Sequence, residues 1–230
     1  MKLIRNKHNT PPVSKIYNLD CMDYMKIIPN KWFDLAIADP PYGNKSMLKH
    51  GGCGKLKNRI LNQSRDAMKE WNETPEKEYF TELVRVSKNQ IIFGGNYFEL
   101  PASKGIICWD KVQPFENFSQ IEYIWTSFDV PAKLFRFDNR TGGKIHPTQK
   151  PIAIYHFLLK NFANQGDIIF DSHLGSGSSR IAAYRFGCDF YATEINKHYF
   201  DEQEKRFRKE CFDEVKLQNN STLTQLKLEI

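Results

Sequence analysis

The chain has 230 residues, 40% of them hydrophobic and 26% charged, with a formal net charge of +6. That length fits one domain with a sizeable core, the composition is ordinary for a globular protein, and no apolar run approaches the ~20 residues that a membrane-spanning helix needs. The basic excess is too small to establish a nucleic-acid partner by itself.

Five scattered cysteines, Cys21, Cys53, Cys108, Cys188 and Cys211, form no CxxC pair. Neither a disulfide framework nor a metal site is expected, and a soluble protein of the reducing cytoplasm fits this usage. No signal peptide is read at the start of the chain.

Strand-like and helix-like segments alternate, which predicts an α/β sheet covered on both faces. Ile16–Asp20 reads as a strand, followed by a helix through Met22, Met25 and Ile28. The apolar run Phe33-Asp34-Leu35-Ala36-Ile37-Ala38 is a buried strand that ends in Asp39-Pro40-Pro41-Tyr42. Two prolines fix two φ angles and remove two backbone donors, so nearby carbonyls stay free to accept hydrogen bonds. With the Asp39 carboxylate and the Tyr42 ring, this is a pocket for a planar group bearing an amine, such as a nucleobase.

Residues 44–71 carry Lys45, Lys49, Lys55, Lys57 and Arg59 among glycines, and are expected to be a basic insertion. Apolar spacing of three and four residues predicts a helix through Tyr79, Phe80, Leu83 and Val86, and Gln90–Gly95 follows as a strand. Gly105–Trp109 and Ile121–Ser127 read as strands pairing antiparallel at a sheet edge. Residues 130–150 form a second basic loop with Arg136, Arg140 and Lys144. Such charge runs are often plain solvated faces; beside Asp39–Tyr42 they become candidate phosphate contacts.

Pro151 opens a helix over 152–162. The strand Asp167–Asp171 then runs through the turn Ser172–Ser178 into a helix to Phe186, a strand Asp189–Glu194 and an amphipathic helix from Asn196 to about Cys211. Residues after Asn219 are expected to fray.

In Asp171-Ser172-His173-Leu174-Gly175-Ser176-Gly177-Ser178, glycines let the backbone approach a ligand at a helix N-terminus. A lone GxG turn is weak evidence. Glu194, nineteen positions after Gly175, strengthens it, because an acid at the end of the next strand can hold both hydroxyls of a ribose. Arg180 in place of a third glycine, and Asp171 inside the turn, count against a dinucleotide pyrophosphate. They favour a cofactor with a cationic end, S-adenosylmethionine. The polar side chains and the lysine of His146-Pro147-Thr148-Gln149-Lys150-Pro151 are candidates to bind the cofactor's carboxylate, with a proline-stiffened helix lead-in as the alternative.

Together these elements resemble the amino-group DNA methyltransferases of the permuted class, in which the catalytic tetrapeptide precedes the cofactor motif. The resemblance spans about residues 16–207 and includes Gly94-Gly95-Asn96-Tyr97-Phe98 and Ile124-Trp125-Thr126-Ser127, similar to small phage-type adenine-specific members. It implies a Rossmann-like fold with a mostly parallel seven-stranded sheet and an antiparallel edge, as a single domain over 1–230. It also implies transfer of a methyl group to adenine N6 of a flipped-out base.

The implied catalytic residues are Asp39, Pro40, Pro41 and Tyr42. The implied cofactor residues are Asp20, Cys21, Asp39, His146, Thr148 and Lys150, then Asp171, His173, Gly175, Ser176, Gly177 and Ser178, with Glu194 and Ile195. The family usually has Asp-Pro-Phe where this chain has Asp171-Ser172-His173, which leaves the role of His173 open. Double-stranded DNA is the implied partner; a homodimer and a companion restriction endonuclease stay open. Cytosine N4 methylation and a non-catalytic DNA-binding subunit of a methyltransferase pair are the alternatives.

Overall fold

The computed structural model describes residues 11–43, 73–114, 119–139, 143–216 and 222–224. Lys45, Lys49, Lys55, Lys57, Arg59 and Arg140 lie outside the described residues.

The main sheet takes its first three strands from β1 (Ser14–Tyr17), β2 (Phe33–Ala38) and β3 (Ser87–Phe93). It continues with β4 (Ile107–Asp110), β5 (Ile121–Thr126), β6 (Lys133–Arg136), β7 (Ile168–Asp171) and β8 (Asp189–Thr193). The helices are α1 (Cys21–Lys26), α2 (Lys77–Val86), α3 (Ile152–Phe162), α4 (Ser178–Phe186) and α5 (Lys197–Phe212).

The strand order is β1-β8-β7-β2-β3-β5-β4-β6, eight strands rather than the expected seven. The added strand is β6, which pairs parallel with β4 inside the stretch read as a basic loop. Its residues Lys-Leu-Phe-Arg read polar-apolar-apolar-polar, with no alternation to mark a strand. The chain end also departs from expectation, since Thr222–Thr224 pairs antiparallel with Glu214–Lys216 as a separate two-stranded ribbon.

From β1 to β3 all neighbouring pairs are parallel. β5 runs antiparallel to both β3 and β4, as the short connections around it require. The central strands β7 and β8 are buried at every position, as expected when helices cover both faces of a parallel sheet. Leu35 and Ile37 pack with Ile154 and Leu158 of α3 and Ala182 of α4 on one face. Ala36 and Ala38 pack with Met25 of α1 and Leu83 of α2 on the other.

β2 and β7 are neighbours, with Leu35 opposite Ile169 and Ala36 opposite Phe170. From β7 the chain passes through α4 to β8 on one side, whereas β2 pairs with β3 on the other. Their carboxyl ends therefore mark the point where the winding reverses, and an α/β sheet opens a crevice there. Asp39 follows β2 directly, and the glycine turn follows β7.

Candidate active site

A cavity of about 600 Å³ opens at this crevice. Asp39, Pro40, Pro41 and Tyr42 line it, together with Asp20, Cys21, His146, Thr148, Lys150, His173, Gly175, Ser176, Glu194 and Ile195. Elements far apart in the sequence thus meet in one space.

Asp39 is fixed by its neighbours. Its Oδ2 lies 2.5 Å from the Lys150 ammonium, and its Oδ1 is 2.7 Å from the Tyr42 hydroxyl. Lys150 also donates to Glu122 Oε1 at 3.0 Å and to the Tyr42 oxygen at 3.3 Å. Glu122 Oε2 in turn holds the Lys111 ammonium at 2.7 Å.

Burial pushes the Asp39 carboxyl up, and Lys150 opposes that shift. Burial also favours a neutral Lys150, but Asp39 and Glu122 outweigh it and raise its pKa, so it stays an ammonium. For Glu122, burial again acts upward, yet Lys150 and Lys111 hold its carboxyl at about 2. Burial and the two adjacent carboxylates raise the Tyr42 phenol well above its ordinary range.

The Tyr42 ring stacks on Tyr97, centroids 4.9 Å apart and planes within 14°. Gly94, in the left-handed region at φ +66°, lets the backbone come against this ring; a side chain there would collide with it.

The other wall is the glycine turn. Glu194, only 8% exposed, accepts from the Gly175 amide at 2.8 Å and from the Asn196 amide at 2.8 Å. Each carboxylate oxygen retains a second lone pair. Asp20 caps α1 by accepting from the Met22 amide at 2.7 Å, and Cys21 beside it has its thiol pushed up to about 12, chiefly by burial. The His146 ring packs edge-on to Tyr199 at 4.3 Å and approaches Gly175. Burial lowers its pKa to about 4, so it is neutral at pH 7.

Three expectations need correction. Asp171 does not face the cavity: it is 1% exposed, its Oδ1 accepting from the His173 amide and its Oδ2 from the Ser179 hydroxyl. Burial pushes its carboxyl up to about 7. It braces the turn rather than receiving a cation.

Gly177 and Ser178 lie behind the cavity wall as well. Gly177, at φ +74°, leaves room for the buried Gln203, and the Ser178 hydroxyl donates to the Lys150 carbonyl at 2.7 Å. The third correction is Lys150 itself, whose ammonium is engaged by Asp39, Glu122 and Tyr42 instead of standing ready for a cofactor carboxylate.

His173 is a half-buried wall residue, edge-on to Tyr79 at 5.4 Å and 2.9 Å from the Ser172 hydroxyl; burial lowers its pKa to about 4. Of the expected basic contacts, Arg136 is exposed on β6 and pairs with Asp110 at 3.2 Å. Lys144 is exposed, with its pKa lowered by partial desolvation and by Lys111.

Sequence reasoning missed Glu122, Lys111 and Tyr79. The available signal for Glu122 was a single carboxylate inside the apolar strand Ile121–Thr126, with a lysine one residue beyond the paired strand β4.

A walled cavity with a carboxylate that keeps acceptor capacity and a backbone turn at close approach fits a nucleoside-bearing cofactor. Residues 108–205 match the N6/N4 DNA methylase family, described as DNA methylase, a span that takes in the glycine turn and Glu194 but not the tetrapeptide. The Type II methyltransferase M.HinfI of Haemophilus influenzae is 23% identical over 92% of this chain and 71% of its own length. Among solved structures, the M1.HpyAVI–SAM complex superposes with a TM-score of 0.56 at 21% identity, covering 84% of this chain and 98% of that one. The PvuII DNA methyltransferase, cytosine-N4-specific, gives 0.56 at 13% identity over 88% and 90%. These superpositions establish a shared fold, and the family match makes residues 108–205 similar to the amino-group DNA methyltransferases.

Proposed function

We propose that the protein transfers a methyl group from S-adenosylmethionine to the N6 amino group of an adenine flipped out of DNA. The observation that carries this reading is that Asp39 and Tyr42 line the same cavity as Glu194 and the Gly175 turn. Site Asp20, Cys21, His146, Thr148, His173, Gly175, Ser176, Glu194 and Ile195 would hold the cofactor, with Glu194 accepting from its ribose hydroxyls. When bound, the cofactor supplies an electrophilic methyl group on a sulfonium.

An exocyclic amine is a poor nucleophile because its lone pair is delocalised into the ring. Asp39 and the Pro40 carbonyl accept its two N–H groups and draw the nitrogen toward tetrahedral geometry. This is catalysis by orientation and electrostatics. A carboxylate has about four acceptor positions, so Asp39 can bond Lys150 and Tyr42 and still receive the amine. Lys150 keeps Asp39 ionised in a buried site.

Tyr42, braced by Tyr97, offers the aromatic surface on which the base stacks. Flipping a base costs a few kcal/mol, and stacking returns about 1–3 kcal/mol. The tetrapeptide's Asp, where the resembling cytosine enzymes more often have Ser, favours adenine. Arg136 and Lys144, with the lysines of 44–71 and with Arg140, would contact phosphates. The tetrapeptide precedes the cofactor turn in the chain, in keeping with the permuted class.

The test is methylation of DNA from a methylation-deficient host, digested to nucleosides and weighed. N6-methyladenine is expected. N4-methylcytosine would reassign the base, and the absence of any methylated nucleoside would refute the reading.

A further inference from the structure

Glu122 is the charged residue of the cluster whose role the transfer chemistry does not itself explain. It projects from β5, where its strand neighbour is Trp109, and it does not line the cavity. Its side chain is 11% exposed, and among the described residues it bonds Lys150, Tyr42 and Lys111. Oε1 lies 3.0 Å from the Lys150 ammonium and 3.0 Å from the Tyr42 hydroxyl, while Oε2 holds Lys111 at 2.7 Å.

Lys150 and Tyr42 are also the two residues that bond Asp39. Glu122 and Asp39 therefore compete for the same ammonium and the same hydroxyl proton.

We propose that Glu122 is a positioning residue, anchored by Lys111, that shares Lys150 and Tyr42 with Asp39 and so leaves an acceptor position on Asp39 open to the target amine. This deepens the reading of the site as an amino-group methyltransferase centre and rests on it. An ammonium has three donors, and the side chains of Lys150, Asp39 and Glu122 are mostly buried. Without Glu122, the donors of Lys150 have Asp39 as their remaining carboxylate, and the ammonium settles across both of its oxygens. The Tyr42 proton turns the same way. The carboxylate remains ionised but becomes occupied, and methyl transfer slows while the cofactor-facing wall is untouched. The Lys111 contact keeps Glu122 from following Lys150 toward Asp39.

The test uses the full chain, tritiated S-adenosylmethionine and duplex DNA from a methylation-deficient host. Glu122→Gln should slow single-turnover transfer roughly 10–100-fold, the scale of one charge-assisted hydrogen bond, with cofactor affinity by calorimetry within about twofold. Because Glu122 and Lys150 act on the same carboxylate within one cluster, the losses of Glu122→Gln and Lys150→Met should not multiply in the double variant. Lys111→Met, which keeps Glu122 in place but unanchored, should give a smaller loss and guards against a Glu122 variant that does not fold.

The hold on Lys150 is read separately by nitrogen-15 NMR of the side-chain ammonium, assigned by its absence in Lys150→Met. Glu122→Gln should broaden or remove that signal. Unchanged transfer in Glu122→Gln, multiplying losses in the double variant, or an unchanged ammonium signal would each overturn the proposal. A wild-type chain that methylates nothing would instead sink the functional reading itself.

Discussion

The Lys150 ammonium sits 2.5 Å from Asp39 Oδ2 although 111 residues separate the two. The carboxylate that ends β2 is thus completed by the segment that leads into α3. This pairing makes the acidity of Asp39 a property of two distant parts of the chain.

If Lys150 keeps Asp39 ionised, Lys150→Met should move the acid limb of the pH–rate profile. Burial already raises the Asp39 pKa, and Lys150 opposes it. Loss of the cation lets the pKa climb further, so a smaller fraction is ionised at any given pH. The acid limb should shift upward by roughly 1–3 pH units, the usual effect of an adjacent opposite charge. Single-turnover rates between about pH 5 and pH 9 would show it.

Asp39→Ala should reduce methyl transfer by about 10²–10³-fold or more, comparable with removing a preorganised transition-state partner elsewhere. Cofactor titration by calorimetry should remain measurable. An active variant would disprove the assigned role.

Glu194→Ala removes the acceptor of two backbone amides and the proposed ribose contact. Cofactor affinity should fall about tenfold or more, since hydrogen bonds to a charged group contribute roughly 1.5–3 kcal/mol. The loss should appear in calorimetry without DNA.

Gly94→Ala puts a methyl group into the Tyr42 ring at a left-handed backbone position. Backbone strain of this kind costs on the order of 1–3 kcal/mol, and the ring must move. A lower melting temperature and weaker stacking of a 2-aminopurine placed at the target are expected, the latter by fluorescence.

Asp171 gives a stability prediction with a definite sign. Its folded pKa of about 7 stands above the ordinary aspartate value of 3.8, so the native state binds its proton more tightly than the unfolded chain. That contribution is fully present below the unfolded value and is lost as pH rises to about 7. The difference in melting temperature between wild type and Asp171→Asn should therefore shift against the wild type across this window. The neutral histidines His146 and His173, each lowered to about 4, act in the opposite sense but cancel in the difference.

The central architecture was legible because its strands carry unbroken apolar runs, as in Phe33–Ala38 and Ile168–Asp171, and because Pro151 marks the start of α3 to the residue. β6 was not legible: four residues with a charged residue at each end and no fully buried position look the same in a loop. For the site, residue type was informative and direction was not. Asp171 ends the strand that leads into the turn, as the sequence predicts, but its oxygens accept from the Ser179 hydroxyl and the His173 amide. Lys150 stands where expected too, while its long stem lets the ammonium reach Asp39, and nothing local to 146–151 encodes that partner. Glu122 is invisible without the strand pairing that brings β5 beside β4.

The pairing of Leu35 with Ile169 has a kinetic consequence. A chain emerging from the ribosome displays the tetrapeptide early, but the strand that lies beside it comes more than a hundred residues later. Contacts so remote in sequence form late, after the intervening chain has closed its loop. A partly synthesised product therefore carries the acid without a complete cavity, and the site is assembled only when the second half of the sheet docks.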